Sequence, residues 1–131
     1  DSPIVGIYFS AQWCVPCRRF TPKLKKFYDI LVAQGTPLPI VFASSDQDED
    51  SFASYFFQTK CRGTPLKMPW HAFRFGDDRI EVLIKKYVAS GIPWLVILNT
   101  KTGELVMNEA GAMVGEELFG KITAYREKEH K

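Results

Sequence analysis

The first 31 residues place two cysteines between a buried strand pattern and an amphipathic helix pattern. Residues 4–9 are short, apolar and rich in β-branched and aromatic side chains, which is typical of a buried strand. After them, apolar residues recur at helical spacing, at Phe20, Leu24, Phe27 and Leu31. A further strand pattern follows at residues 40–43. The opening β-α-β unit predicts two parallel strands joined by a right-handed crossover.

The rest of the chain continues this alternation. Residues 94–98 and 104–107 are predicted to be strands joined by a hairpin turn over residues 99–103. Apolar faces predict further helices that carry Phe52, Tyr55, Phe56, Ile80, Leu83, Ile84, Tyr87, Leu118, Ile122 and Tyr125. The order predicts an α/β fold in one domain over residues 1–131, with a mixed central sheet of four or more strands flanked by helices.

Helix-capping residues, glycines and prolines predict where the helices begin and end. Residues 46–49 resemble a capping box that opens the second helix. Asp77 or Asp78 is predicted to cap the third helix, and Gly91 fits its end. Residues 59–71, which contain one glycine and two prolines, are predicted to form an irregular loop.

Composition excludes several classes of function. The 131 residues, 46% of them hydrophobic, fit one ordinary globular core. No apolar run is long enough to cross a bilayer, and a net charge of +2 does not favour nucleic-acid binding. Nothing in the sequence requires more than a monomer. The start of the chain shows no secretory signal, and a segment that precedes it is left open.

The cysteine content indicates a reducing compartment. Three cysteines make an odd set, which fits a secreted disulfide framework poorly. We therefore expect a cytoplasmic location.

Cys14 and Cys17 lie where the first helix is predicted to begin, and this position suits redox chemistry. A thiol there faces free backbone N–H groups and the positive end of the helix dipole, which both stabilise a thiolate. Arg18 adds positive charge nearby. We expect Cys14 to be the exposed attacking sulfur and Cys17, one turn further along, to be the resolving sulfur.

Two structural alternatives remain for this pair. A plain disulfide, or two buried thiols, needs no chemistry, but so small a loop gains little entropy compared with the ~3 kcal/mol of a 15-residue loop. A zinc site needs four ligands, or three and a water. Beyond the pair the chain offers only Cys61, His71 and His130, which disfavours zinc.

The sequence WCVPC at residues 13–17 after a strand, with GIP at residues 91–93 before a later strand, resembles the thioredoxin superfamily. The segments YFSAQWCVPCRRFTP, DEDSFASYF, MPW and GIPWLVIL are similar to its tryparedoxin and nucleoredoxin branch, over residues 5–107. The resemblance implies a thioredoxin-like fold and a thiol–disulfide oxidoreductase that uses a redox-active Cys14–Cys17 disulfide, without metal or organic cofactor.

The resemblance also implies roles around the dithiol. Pro93 would be cis beside it, the backbone of Ile92 would pair with an incoming substrate chain, and Trp13 would flank the groove. Pro16 and Arg18 occupy supporting positions. From the residues alone, Trp13 can equally be a partly buried packing residue, and a proline is allowed at the first position of a strand.

Tyr8 departs from the thioredoxin pattern. Thioredoxins carry a buried acid at this position, which helps to deprotonate the resolving thiol. A phenol is a weak base at neutral pH. We therefore expect water or another group to serve, which favours the tryparedoxin-like branch.

Two further departures concern partners. An insertion over residues 57–67 brings in Cys61, predicted to be a bystander, with a regulatory disulfide as the alternative. The stretch VMNEAGAMVGEE lacks the arginine that is associated with trypanothione use. The expected donor is thus a low-molecular-weight dithiol or glutathione-type thiol, or a reductase. The expected acceptor is a peroxidase or another disulfide-containing protein.

Two functions are consistent with this pattern. The first is an active dithiol oxidoreductase. The alternative is a nucleoredoxin-like interaction module whose cysteines sense redox state. The intact set Trp13, Cys14, Cys17 and Pro93 favours the enzyme.

Overall fold

The computed structural model describes residues 4–58, 60–61, 64–65, 67–88, 91–110 and 116–129. These residues form a five-stranded mixed sheet with helices on both faces, and a separate two-stranded ribbon. In chain order the elements are β1 (Ile4–Ser10), α1 (Val15–Ala33), β2 (Ile40–Ser44), α2 (Glu49–Gln58), β3 (Lys60–Cys61), β4 (Thr64–Pro65), β5 (His71–Ala72), α3 (Asp78–Tyr87), β6 (Trp94–Asn99), β7 (Leu105–Ala110) and α4 (Glu116–Glu129).

The sheet order β5-β2-β1-β6-β7 places β1 at the centre. β1 pairs in parallel with β2, as the opening β-α-β unit predicts, and antiparallel with β6. The hairpin prediction is confirmed, because β6 and β7 pair antiparallel. The side chain of Asn99 accepts the Lys101 N–H at 2.8 Å, and Gly103 has a φ of +74°, which glycine adopts without strain.

Alternating residues of the central strands serve two cores. Ile4 and Tyr8 face the larger core, which α1, α2 and α4 cover. Ile7 and Phe9 point to the opposite core, which α3 covers. β1 is therefore buried on both faces, which explains why its sequence is an apolar run without alternation.

The predicted start of α1 is confirmed, because Cys14 is its N-cap residue, whereas one cap of α2 is corrected. Gly35, just after α1, has a φ of +77° and donates its N–H to the Val32 carbonyl at 3.0 Å, which closes the helix. The capping side chain of α2 is Asp48, which accepts the Ser51 N–H at 2.8 Å. Asp46, the first residue of the predicted capping box, is instead committed to the loop before α1, as described below.

The predicted cap of α3 is correct at its start and wrong at its end. Asp77 accepts the Arg79 N–H at 2.9 Å. The helix ends at Tyr87 and not near Gly91, because Val88 already has an extended backbone with a ψ of 109°.

The predicted loop over residues 59–71 contains more order than expected. β3 and β4 pair antiparallel, and β5 adds a fifth strand beside β2. Each of these strands is two residues long, too short to show a periodic pattern. The Cys61 side chain lies outside what the structure describes. Over the described ranges, the helices include none with the length and apolarity that a bilayer span requires.

Candidate functional site

A four-residue turn carries the chain from β1 to α1 and presents the first cysteine. The Cys14 N–H donates to the Ala11 carbonyl at 3.3 Å, and Cys14 is the N-cap residue of α1. The Gln12 N–H donates to the Asp46 carboxylate at 2.8 Å, which ties the turn to the end of β2. The turn is thus held from both sides before the helix begins.

The two cysteines are in contact through the first turn of α1. The Cys17 N–H donates to Cys14 Sγ at 3.3 Å, as a helix N-terminus offers its free N–H groups to an anion. Cys17 is completely buried. Cys14 is only 7% exposed and so less exposed than predicted, because Ile92 packs against it. The more accessible sulfur is still that of Cys14.

Cys17 is held in its protonated form. The pKa of its thiol is raised from 9.0 to about 12, mainly by burial and in part by the hydrogen bond with Cys14. The Ser10 hydroxyl and the Ala11 backbone N–H oppose this rise, because each can donate a hydrogen bond to the thiolate form of Cys17. The environment of Cys17 therefore contains groups that favour its thiolate as well as groups that disfavour it.

The residues predicted to flank the dithiol lie around it. Trp13 is 60% exposed and donates its indole N–H to the Ser45 carbonyl at 3.3 Å, so its ring is anchored on the surface and is not part of the core. The Ile92–Pro93 peptide bond is cis, as the resemblance implies. The Ile92 carbonyl accepts the Cys14 thiol at 3.8 Å. A surface aromatic and a backbone segment thus border the Cys14 sulfur.

The supporting positions differ in what they contact. Pro16 is exposed in the first turn of α1, where its missing N–H has no partner to lose. Arg18 is also exposed. Its guanidinium makes no hydrogen bond with the residues that the structure describes. Arg18 therefore brings a positive charge to the surface near the dithiol and no specific contact.

Tyr8 belongs to a cluster of buried hydroxyl groups beneath Cys17. Its hydroxyl lies 2.7 Å from Thr21 Oγ1 and 3.5 Å from the Cys17 carbonyl. Burial raises the pKa of Tyr8 well above 10.0, and the nearby charge of Tyr55 raises it further. Tyr8 is therefore a hydrogen-bond donor at neutral pH, which agrees with the expectation that it is no base.

The sequence reasoning missed the other members of this cluster, Ser10, Thr21 and Tyr55, and it missed Asp46. A signal was present, because Ser10 ends the apolar run of β1 and Thr21 falls on the apolar face of α1 with Phe20 and Leu24. Among the described residues, no three His, Cys, Asp or Glu side chains are grouped so as to hold a metal ion.

We predict that the reduced protein loses stability in alkali through this cluster. Cys17 and Tyr55 have pKa values raised to about 12, mainly by burial, so the folded form binds their protons more tightly than the unfolded chain. Their stabilisation is complete below about pH 9 and is lost as the pH rises towards 12, at up to about 1.4 kcal/mol per pH unit and group. Urea unfolding from pH 7 to 11 measures this loss.

The Cys17→Ala variant is the control for the alkaline prediction. It keeps Cys14 and the tyrosines but lacks the buried thiol, so its free energy of unfolding should fall less steeply above pH 9. Equal slopes in the two reduced proteins would contradict the role assigned to Cys17.

Comparison with known proteins agrees with the fold. The model of a family described as thioredoxin-like matches residues 2–105. Probable nucleoredoxin 1 of Arabidopsis thaliana is 42% identical over 117 residues, which cover 86% of this chain and 18% of that protein. The chain thus spans about a fifth of the length of this curated relative.

Solved structures show the same relationship. Tryparedoxin I from Leishmania major superposes with a TM-score of 0.73 at 35% identity, covering 96% of this chain and 78% of the other. A tryparedoxin II solved in complex with glutathionylspermidine superposes with a TM-score of 0.68 at 27% identity, covering 99% and 77%. With its dithiol at the start of α1 and a cis proline beside it, the chain belongs to the thioredoxin-like oxidoreductase family, in the branch that contains tryparedoxins and nucleoredoxins.

Proposed function

We propose that this chain is a thiol–disulfide oxidoreductase in which Cys14 attacks and Cys17 resolves. The observation that carries the proposal is the asymmetry of the pair. Cys14 Sγ receives the Cys17 N–H at the start of α1, and the Cys14 residue is 7% exposed, whereas Cys17 is completely buried. An incoming disulfide therefore reaches Cys14 first, at the sulfur that accepts the Cys17 N–H.

The reaction has two exchange steps. The Cys14 thiolate attacks one sulfur of the substrate disulfide, a Cys14–substrate disulfide forms, and the other substrate sulfur leaves as a thiolate. The Cys17 thiolate then attacks Cys14 Sγ, the Cys14–Cys17 disulfide forms, and the second substrate thiolate leaves. The substrate gains two electrons and the dithiol loses two. An external dithiol restores the pair by the reverse exchange.

The surroundings of Cys14 support roles in binding the substrate. The exposed Trp13 ring offers an apolar surface, and the Ile92 backbone offers hydrogen-bonding groups to an extended substrate segment. Pro93 sets the direction of that backbone. Electrons are carried by the cysteines themselves, so the proposal includes no metal or organic cofactor.

The proposed donor is a low-molecular-weight dithiol or a glutathione-type thiol. Support comes from the tryparedoxin II structure, because that protein binds glutathionylspermidine, and its fold and sequence are similar to those of this chain. The proposed acceptor is a peroxidase or another protein disulfide, and the proposed compartment is the reducing cytoplasm.

We predict that the Cys17→Ser variant is trapped as a mixed disulfide. In a Cys61→Ser background and with glutathione disulfide, the variant should hold one glutathione on Cys14, because the serine hydroxyl is a far weaker nucleophile than a thiolate. The wild-type chain should instead end with the Cys14–Cys17 disulfide and two released glutathione molecules. Intact-protein mass spectrometry, with and without dithiothreitol, distinguishes the two products.

The control for trapping is the Cys14→Ser/Cys17→Ser double variant in a Cys61→Ser background. It has no thiol, so it should gain no mass. Mixed-disulfide formation at Cys17 in a Cys14→Ser variant, at the rate seen for Cys14, would overturn the proposed roles.

The second candidate is a nucleoredoxin-like redox-sensing interaction module. It is favoured by the 42% identity to a nucleoredoxin and by the exposed apolar side chains of Trp13 and Val15 at the site. A module of this kind would react with glutathione disulfide without turning over. Several cycles of reduction under excess dithiothreitol and insulin would argue against it.

A further inference from the structure

Four buried hydroxyl groups form a continuous set of hydrogen bonds beside Cys17, and the set ends at the Cys17 carbonyl. We call Ser10, Tyr55, Thr21 and Tyr8 the hydroxyl chain. Thr21 Oγ1 lies 2.6 Å from the Tyr55 hydroxyl and 2.7 Å from the Tyr8 hydroxyl, and Ser10 Oγ is hydrogen-bonded to Tyr55. All four residues are at most 1% exposed. Protein groups, not bulk water, therefore satisfy these hydroxyls.

Each hydroxyl has a single proton, and this fixes the direction of the chain when Cys17 is a thiol. Thr21 donates to the Cys17 carbonyl at 2.9 Å, and that oxygen can only accept. Tyr55 must then donate to Thr21, and Ser10 must donate to Tyr55. Ser10 Oγ is left with a free lone pair, which can accept the Cys17 S–H. The chain thus runs from the Cys17 thiol to the Cys17 carbonyl.

When Cys17 is a thiolate, the same atoms accommodate the opposite direction. Ser10 turns its proton to the Cys17 sulfur, Tyr55 donates to Ser10, and Thr21 donates to Tyr55. The Cys17 carbonyl loses the Thr21 proton, but Tyr8 already lies 3.5 Å away as a donor. Every buried hydroxyl keeps a partner in both states. The reversal needs only rotations about C–O bonds.

We propose that Ser10 is a catalytic residue for the resolving step, donating a hydrogen bond to the Cys17 thiolate, and that Tyr55, Thr21 and Tyr8 position it through the reversible hydroxyl chain. The proposal rests on the proposed function, because it assigns a group to the second exchange step of that reaction. Thioredoxins carry a buried acid at the position of Tyr8, and this chain does not. In the proposal, a set of neutral hydroxyl groups stabilises the Cys17 thiolate instead.

The resolving step is the point at which Ser10 matters most. In the free dithiol, Cys14 is one of the groups that raise the pKa of Cys17. In the mixed disulfide, Cys14 carries neither a proton nor a charge, so Ser10 and the Ala11 N–H remain as the groups that favour the thiolate. The titratable groups that face Cys17 among the described residues are Cys14 on α1, Tyr8 on β1 and Tyr55 on α2.

The atoms and electrons of this step balance without a further reagent. Cys17 Sγ forms a bond to Cys14 Sγ, the bond from Cys14 to the substrate sulfur breaks, and the electron pair leaves with the substrate. The Cys17 proton ends on the released substrate thiol. The hydroxyl chain keeps all four of its protons and changes only their direction.

Stopped-flow reaction of the reduced Cys61→Ser protein with one equivalent of dithiobis(nitrobenzoate) separates the two steps, because each step releases one coloured nitrothiobenzoate. In Ser10→Ala the first phase should stay within about twofold of wild type. The second phase should slow about tenfold, which is the size of one lost hydrogen bond to a charged group, and its pH midpoint should rise by about one unit. Tyr55→Phe should slow the second phase about threefold.

Two hydroxyl deletions outside the chain are the controls. Ser51→Ala removes a hydroxyl from the first turn of α2, and Tyr87→Phe removes a buried phenol from the opposite core. Both should leave the two phases unchanged. If Ser10→Ala does not fold, Tyr55→Phe decides alone. A second phase with the wild-type rate and pH midpoint in the folded variants would overturn the role of the hydroxyl chain, whereas a wild-type protein without a second phase would overturn the proposed function itself.

Discussion

Replacing Cys14 by alanine is expected to abolish disulfide reduction by this chain, with a loss of roughly a thousandfold or more. Cys14 carries the accessible sulfur of the pair, and Cys17 is completely buried beneath it. Burial also keeps Cys17 protonated, with its pKa raised to about 12, so Cys17 cannot take over the first attack at neutral pH. Insulin reduction under dithiothreitol, followed by turbidity, measures the loss.

The matched comparison for this prediction is Cys17→Ser, which keeps the attacking sulfur. It should release the first nitrothiobenzoate from dithiobis(nitrobenzoate) at close to the wild-type rate, whereas Cys14→Ala should release none on that timescale. Both variants should be made in a Cys61→Ser background, because the sequence has a third cysteine. Residual insulin reduction by Cys14→Ala within tenfold of wild type would show that the attacking group had been misassigned.

Local patterns were sufficient to predict most of the fold. Each of the strands β1, β2 and β6 contains an unbroken apolar run, and the apolar face of α1 lies within one segment of the chain. Each of these elements could therefore be predicted from its own stretch of sequence. The fifth strand, β5, was missed because its two residues are ordered by pairing with β2 and not by their own propensity. The early end of α3 was missed for a related reason, since Gly91, four residues beyond Tyr87, gave the stronger stop signal.

The dithiol was predictable for the same reason that the strands were. Cys14, Cys17 and Trp13 are neighbours in sequence, and their chemistry depends on one strand-to-helix junction. The groups that surround Cys17 come from further away: Ser10 and Tyr55 are separated by 45 positions, and Gln12 and Asp46 by 34. No local pattern marks such pairs, so they required the assembled fold.

The aromatic core connects the fold to the site, and Phe42 is its central residue. Its ring is completely buried and lies 5.6 Å from the ring of Tyr55 and 6.1 Å from that of Tyr8, two members of the hydroxyl chain. It also stacks on Phe52 and Phe56, each at 5.9 Å. The rings that carry two of the four hydroxyls are therefore positioned by one side chain of β2.

Phe42→Ala is expected to lower the free energy of unfolding by about 3–5 kcal/mol, because it removes a fully buried ring and leaves a cavity that its aromatic neighbours fill only in part. Phe42→Leu, which keeps most of the volume, should lose less than half of that. Phe57→Ala is the surface control, since Phe57 is 51% exposed, and it should change stability by less than about 1 kcal/mol. Urea unfolding of the three variants at pH 7 gives these values.

The same core loss should also slow the second stopped-flow phase more than the first, because the hydroxyls of Tyr8 and Tyr55 then lose their fixed positions. A Phe42→Ala protein whose free energy of unfolding falls by less than about 1 kcal/mol, or in which both phases slow equally, would contradict this link between the aromatic core and the resolving step.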